Sequence, residues 1–502
     1  MADLALKCMN ESDQEQRDTM LHLRTQTLDS LKKTNTRKAS HFGKLPFEIS
    51  SAIFILAVGE DVFGAFTISH VCKAWRGIAL NTPALWKSVV IRHNRDIPKA
   101  GVVLKRANGN VKRLEIHSDF GLYQKNFLVR HAHDSFWDRL ETLALIYDAD
   151  PGVFRNFRFE FTLWEFIPWE KLRLQSFILS SVSYSWPAGQ FWEAINRMTH
   201  CTIRTVTFKG PVLPSSHFEQ YGGLTRLQIN YPRSYPAHYS QQELASLFYP
   251  IPRLETAIID VTVTKSTEIQ RPPNKEPLAM EYLVHLESHQ YGGWLDNFLK
   301  GGFSFPALQT LHLYDGYALG DYLVHLEPLA GNLVALRLST WGPATLTSFL
   351  KASPNIVTLD LFNFEQEMSD EMDALGGRNR APICPKLEHI HFRSCSELSG
   401  ISLFALVLGR YSRARIADEL KAVYVSLAGP AAMERRRSAL DQIWLSAGAV
   451  MTPIRSLVIE DCDLIHPEMI KCLRTPVTRI RYKPSHHFIR QKSQAPKRRE
   501  WK

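Results

Sequence analysis

Fourteen short segments of this 502-residue chain share one pattern, with apolar residues at their first and fourth positions and, in thirteen of them, at the sixth. They read VKRLEI (111), LETLAL (140), LQSFIL (174), IRTVTF (203), LTRLQI (224), LETAII (254), MEYLVH (280), LQTLHL (308), LVALRL (333), IVTLDL (356), LEHIHF (387), LKAVYV (420), IRSLVI (454) and VTRIRY (477), each numbered at its first residue. Successive starts lie 21 to 34 residues apart. Proline precedes several by one or two positions, as at Pro252, Pro306, Pro354, Pro385, Pro453 and Pro476. Between them FWEAINRM (191–198), ELASLF (243–248), WLDNFL (294–299) and ATLTSFL (344–350) have helical character. Alternation of period two predicts strands. A short strand followed by a helix cannot bury its own apolar face, so the units must stack and share one core.

The pattern resembles the leucine-rich repeat, L-x-x-L-x-L-x-x-N/C. LEHIHFRSC ends at Cys395 and IRSLVIEDC at Cys462, each on the Asn/Cys position, which in that family turns inward and ties off backbone groups. Asp119, Asp148, Gly316 and Trp341 stand there in other segments, so the repeats are irregular. The resemblance implies an α/β solenoid over residues 91–483, a parallel-sheet horseshoe. A propeller would need a period of about 40–45 residues. YLVHLE occurs twice, at 282–287 and 322–327. The repeat count makes the first copy a strand and places the second in the linker or helix before LVALRL.

Upstream, residues 44–90 have a different punctuation. Leu45-Pro46 opens a helix, with Pro46 suited to its first turn, where a missing N–H costs nothing. Ile49, Ala52, Ile53 and Leu56 share one face of it. Gly59-Glu60-Asp61 ends it and offers Asp61 as the next cap. Ile68, Val71, Cys72, Trp75 and Ala79 form a second stripe, and Thr82-Pro83 precedes Leu85-Trp86. L-P-x-E-I, an apolar helix, V-C-K-A-W-R and then L-W resemble the F-box, a small all-helical module by which substrate receptors dock on the Skp-family adaptor of a cullin-based ubiquitin ligase. Leu45, Pro46, Ile49, Ile53, Val71 and Trp75 fall where that family's adaptor-facing and module-core residues lie. Gly64 departs from the pattern, since glycine inside a helix costs about 1 kcal/mol relative to alanine. The second helix is therefore expected to be short or bent, and Val62, Phe63 and Phe66 are left out of the contact set.

In the repeats, the fourth and sixth positions are expected to point inward, and the third, fifth and seventh to the concave side. That side would carry His312 and Tyr314, Arg337, Asp360 and Phe362, His389, His391 and Arg393, and Tyr424, a mixture suited to holding an unidentified protein substrate. His389-x-His391 and His131-x-His133 have no acidic or cysteine partner at a recognised ligand spacing, so no metal site and no cofactor are expected. No GxSxG, P-loop, HExxH or helix-opening GxGxxG is present. The chain is read as non-catalytic.

The formal charge of +10 invites a nucleic-acid reading, but its distribution argues against one. Residues 471–502 hold eleven of the 60 Lys/Arg and one of the 50 Asp/Glu, leaving 49 of each elsewhere. The basicity belongs to the end of the chain, with 484–502 read as a disordered tail and Lys497-Arg498-Arg499 as a possible nuclear address. Residues 1–43 are polar, with one loose helix through Met20 to Leu31. Seven scattered cysteines without a CxxC fit a reducing compartment, cytoplasmic or nuclear. No apolar run is long enough to span a membrane. The resulting expectation is a substrate receptor of an SCF-type ligase. The alternatives are an interaction scaffold without substrate delivery, and a nucleic-acid-associated protein acting through the tail.

Overall fold

The computed structural model describes residues 45–117 (apart from 60 and 62), 126–128, 134–147, 167–181, 197–198, 202–210, 221–230, 240–261, 278–289, 293–300, 302–314, 323–339, 343–376 (apart from 366), 383–410 and 452–484 (apart from 475), together with Gln26. The N-terminal helix, FWEAIN of the helical segment at 191–198, LKAVYV with Tyr424, His131, His133 and the basic tail beyond 484 lie outside them. The chain forms two compact units: one takes in residues up to Glu115 and Gly121–Arg139, the other Ile116–Phe120 and Leu140 onwards.

The first unit begins with α1 (Phe47–Val58), α2 (Gly64–Ser69) and α3 (Lys73–Leu80). Pro46 sits at the N-cap of α1 rather than inside its first turn. Gly59, at φ +52°, ends that helix in the left-handed region where a side chain would be strained. Asp61 then accepts from the Phe63 amide at 3.0 Å. As the glycine implied, the second helix is short: α2 is six residues long and starts at Gly64. The stripe from Ile68 to Ala79 is two helices, because the chain turns at His70–Cys72 and Cys72 becomes the N-cap of α3. Cys72 is exposed, and its Sγ accepts from the Trp75 amide at 3.5 Å, so it is a cap and not a core residue.

A 3₁₀ turn (Pro83–Trp86), strand β1 (Ser88–Ile91) and α4 (Ile97–Ala107) follow. Trp86 is buried, donates from its indole to Ala79 O at 2.8 Å and carries the Arg106 guanidinium 4.4 Å above its ring. Trp86-Lys-Ser-Val89-Val-Ile91 has apolar residues at positions one, four and six. It fits the repeat frame with an aromatic in first place, which a search led by leucine passes over.

The remaining strands are β2 (Arg113–His117), β3 (Thr142–Tyr147), β4 (Ser176–Ser181), β5 (Thr205–Lys209), β6 (Arg226–Asn230), β7 (Thr256–Asp260), β8 (His285–Ser288), β9 (Thr310–Tyr314), β10 (Ala335–Ser339), β11 (Thr358–Phe362), β12 (His389–Arg393), β13 (Ser456–Glu460) and β14 (Arg479–Lys483). In the second unit β3 to β14 follow the chain order in one sheet, and every neighbouring pair is parallel. Register is in phase throughout: Leu311, Leu336, Leu359, Ile390, Leu457 and Ile480 are successive partners. Twelve of the fourteen segments hold their frame. MEYLVH does not: its strand starts at His285, and the working frame is L283-V-H-L286-E-S288, three residues later. LKAVYV lies outside the described residues, and β12 pairs directly with β13.

Helices α5 (Asp134–Trp137), in the first unit, and, in the second, α6 (Gln241–Phe248), α7 (Gly293–Lys300), α8 (Leu323–Ala330), α9 (Pro343–Ala352), α10 (Ser369–Leu375), α11 (Gly400–Arg410) and α12 (Pro467–Leu473) follow, and α6 to α12 pack side by side in chain order. α10 and α11 approach closely, since a Cβ on Gly409 would fall 2.0 Å from Gly376 O. Cys395 and Cys462 are fully buried; Cys395 Sγ donates to Leu361 O and Cys462 Sγ to Glu460 O, both at 3.4 Å. Just before them the chain turns through left-handed Ser394 and Asp461, and Asn363 does the same one repeat earlier. Parallel strand, turn and helix, repeated in register, make this an α/β solenoid of leucine-rich-repeat type.

Candidate functional site

Two surfaces stand out, one on each unit. On the first, the face of α1 that packs inward is Ser50, Ser51 and Phe54. Ser51 Oγ meets Thr82 Oγ1 at 2.9 Å, and the Phe54 ring lies 4.9 Å from Trp75. The apolar stripe read from the sequence therefore points outward. Ile49 is 50% exposed and Leu56 82%, and Leu45, Phe47, Ile53 and Val71 are also exposed. Pro46 is exposed and Trp75 half-buried. Large side chains concentrated in this way on one exposed stripe mark a surface built to be covered.

On the second unit, outward-pointing positions of neighbouring strands form rows. One row runs Glu287, His312, Arg337, Asp360, His391, Val458, Arg481. Another runs Tyr314, Ser339, Phe362, Arg393, Glu460, Lys483. The small Ser339 lets the Tyr314 and Phe362 rings meet across it, with centroids 5.1 Å apart. His312, Tyr314, Arg337, Asp360, Phe362, His389, His391 and Arg393 thus share one face, as the alternation required.

They are not simply solvated. Arg337 Nε donates to Asp360 Oδ2 at 2.5 Å and its Nη1 to Tyr314 Oη at 2.8 Å. His391 Nδ1 lies 3.4 Å from Asp360 Oδ1, and its Nε2 lies 3.6 Å from Glu460 Oε2. Glu460 also receives Arg393 at 3.1 Å and Arg481 at 3.3 Å. Burial opposes the charge on Asp360, but the His391 contact and the Arg337 cation outweigh it and hold the carboxyl below its usual range. Asp360 is buried and organises its neighbours rather than presenting itself. The most exposed cations of these two rows are Arg393, Lys483 and Arg481, with 53%, 54% and 75% of their side chains exposed.

At the other end of the first row a carboxylate is ringed by histidines. Glu287 faces His285 at 3.5 Å and His312 at 3.6 Å, and pairs closely with His289, whose ring stacks on Tyr314 with centroids 4.2 Å apart. The sequence reading missed His285, Glu287 and His289 because the MEYLVH frame was displaced. In the corrected frame His285 and Glu287 occupy the third and fifth positions, the outward ones. It also missed Glu460, whose partner His391 lies 69 residues away along the chain.

No protein-family model matches the chain, and no curated protein matches it. Solved structures similar to it include the crystal structure of the TLR13–ssRNA13 complex, at 13% identity and a TM-score of 0.33, covering 74% of this chain. Another is the leucine-rich-repeat-containing protein LegL7 from Legionella pneumophila, at 12% identity and a TM-score of 0.33, covering 65% of this chain and 91% of that one. The chain spans 45% of the length of the TLR13 chain. Among the described residues no helix is long and apolar enough to cross a membrane. The class is therefore defined by the chain's own geometry: an α/β solenoid of leucine-rich-repeat type.

Proposed function

We propose that this chain is the substrate-recognition subunit of an SCF-type E3 ubiquitin ligase. In this reading the first unit docks a Skp-family adaptor, and through it a cullin, while the outer face of the repeats holds a protein substrate in the cytoplasm or nucleus. Ligase chemistry belongs to the partners, and the chain contributes proximity. The observation that carries the reading is the outward apolar stripe of α1 over a face that buries two serines, in the segment whose residues resemble an F-box. Fully burying a Leu, Ile or Phe side chain is worth about 1.5–3 kcal/mol. Leu45, Phe47, Ile49, Ile53 and Leu56 have each realised only part of that, so covering all five offers on the order of 5 kcal/mol before the costs of association.

The test is co-purification of adaptor and cullin with the full chain and with a Leu45→Ala/Pro46→Ala double variant, and separately with Ile49→Asp. Both variants alter exposed positions, so the repeats should stay folded by circular dichroism while adaptor is lost. Retention of adaptor by both would sink the docking assignment. Adaptor binding without any protein whose abundance or ubiquitination depends on the chain would favour a scaffold that delivers no substrate.

A further inference from the structure

We propose that His285, Glu287 and His312 form a zinc-binding site on the outer face of β8 and β9. The proposal is independent of adaptor docking. Nε2 of His285 and Nδ1 of His312 both face the same oxygen, Glu287 Oε2, at 3.5 and 3.6 Å. A tetrahedral ion with bonds of about 2.0–2.1 Å separates its ligands by roughly 3.3–3.4 Å. Two edges of the required polyhedron therefore already stand within a few tenths of an ångström of their final length. One donor atom from each of the three residues lies within 4.8 Å of the other two, so the third edge closes by a rotation of the imidazoles.

The backbone fixes this geometry. Glu287 and His312 are direct register partners on hydrogen-bonded parallel strands, and His285 is two residues before Glu287 on the same face. The His312 Nδ1 atom is buried with no hydrogen-bond partner, 3.6 Å being too far for one, so it points at Glu287 without a bond to make. A metal ion between them would satisfy it. The site is sheltered but reachable, with side-chain exposures of 17% to 26%. Imidazole and carboxylate together suit Zn²⁺ over Mg²⁺ or Ca²⁺, which prefer all-oxygen shells. His289, on the Oε1 side of the same carboxylate, is placed to orient it or to supply a fourth donor.

The experiment uses the full chain, freed of any affinity tag and stripped with EDTA, titrated with ZnCl₂ by calorimetry alongside Glu287→Gln, His312→Asn and the control His389→Asn. His389 lies on the same face but three strands from His312. Wild type and H389N should bind one equivalent that weakens by at least about 100-fold in E287Q and H312N, beyond the 10–100-fold typical of losing an outer hydrogen-bonding partner. Cobalt substituted for zinc should give a visible ligand-field spectrum without a thiolate charge-transfer band, a readout on wild type that needs no variant to fold. No zinc uptake by wild type, uptake undiminished in E287Q and H312N, or a thiolate band would each overturn the site.

Discussion

Arg410 offers the sharpest test of what holds the repeats together. It ends α11, is 3% exposed, and uses all five of its N–H donors on backbone carbonyls. Nε donates to Leu375 O at 3.0 Å, Nη1 to Leu387 O at 3.1 Å and Thr452 O at 3.2 Å, and Nη2 to Ile383 O at 3.0 Å and Cys384 O at 2.7 Å. These acceptors belong to the end of α10, the approach to β12 and the approach to β13, so one side chain ties three repeats. Burial pushes the guanidinium pKa down to about 10, which leaves it charged at neutral pH. Arg410→Met keeps the apolar stem and removes every donor. Cys384 O keeps the Leu387 amide at 3.0 Å, so the orphaned carbonyls on buried residues are those of Leu375, Ile383 and Leu387, and each costs about 1–3 kcal/mol unpaired. Against this stands the release of a buried cation, itself a penalty of several kcal/mol. With three such carbonyls left unpaired against one buried charge released, the net expectation is a loss of about 2–4 kcal/mol. Arg410→Lys restores the charge but only three donors on a compact ammonium, so it should recover a minority of the loss. Urea unfolding followed by circular dichroism, with amide exchange at the buried positions around the guanidinium, measures both. A change below about 1 kcal/mol in R410M, or full recovery in R410K, would refute the carbonyl-clamp argument.

Two further outcomes follow from buried groups. Glu371 is buried, takes one weak hydrogen bond from Thr347 and leaves Oε2 without a hydrogen-bond partner, and burial raises its pKa above the ordinary value. A carboxyl raised in the folded state binds protons more tightly there than in the unfolded chain. Stability is therefore greatest below the unfolded pKa and falls as pH rises through the folded one. Glu371→Gln should remove that slope and stabilise the chain at pH 7 by on the order of 1 kcal/mol, with no gain at pH 3.5; an equal gain at both pH values would show that ionisation is not the cause. Cys384 is buried, with its thiol pKa pushed up to about 12, whereas Cys72 is exposed. Iodoacetamide at pH 8 should label Cys72 in the native chain and reach Cys384 only after denaturation, and mass spectrometry showing equal native rates would contradict the burial.

How much of this was legible in the sequence follows from what each pattern physically constrains. A stacked parallel sheet demands apolar side chains at the same three positions of every repeat, so the strand frames could be read wherever leucine, isoleucine or phenylalanine occupied them. The frame slipped at residues 280–285 because Met280, also fully buried, imitates a first position, while the true sixth position is Ser288, an inward serine that accepts from the Trp294 indole at 3.2 Å. YLVHLE shows that six residues carry no conformation of their own: in one copy His285 opens β8, in the other Leu323 opens α8. What differs is whether a paired strand lies at the right distance on either side. In α1 the spacing of Ile49, Ala52, Ile53 and Leu56 predicted a helix correctly but could not say which face it buries, since periodicity is blind to what lies opposite. Contacts between strands were harder still, because Glu287 and His312 are brought together only by register, and a three-residue error in one frame hides both the pair and its chemistry. A functional search in an irregular solenoid should therefore settle every strand frame first. The outward third, fifth and seventh positions can be compared between neighbours only after the inward serines and aromatics have been assigned to their places.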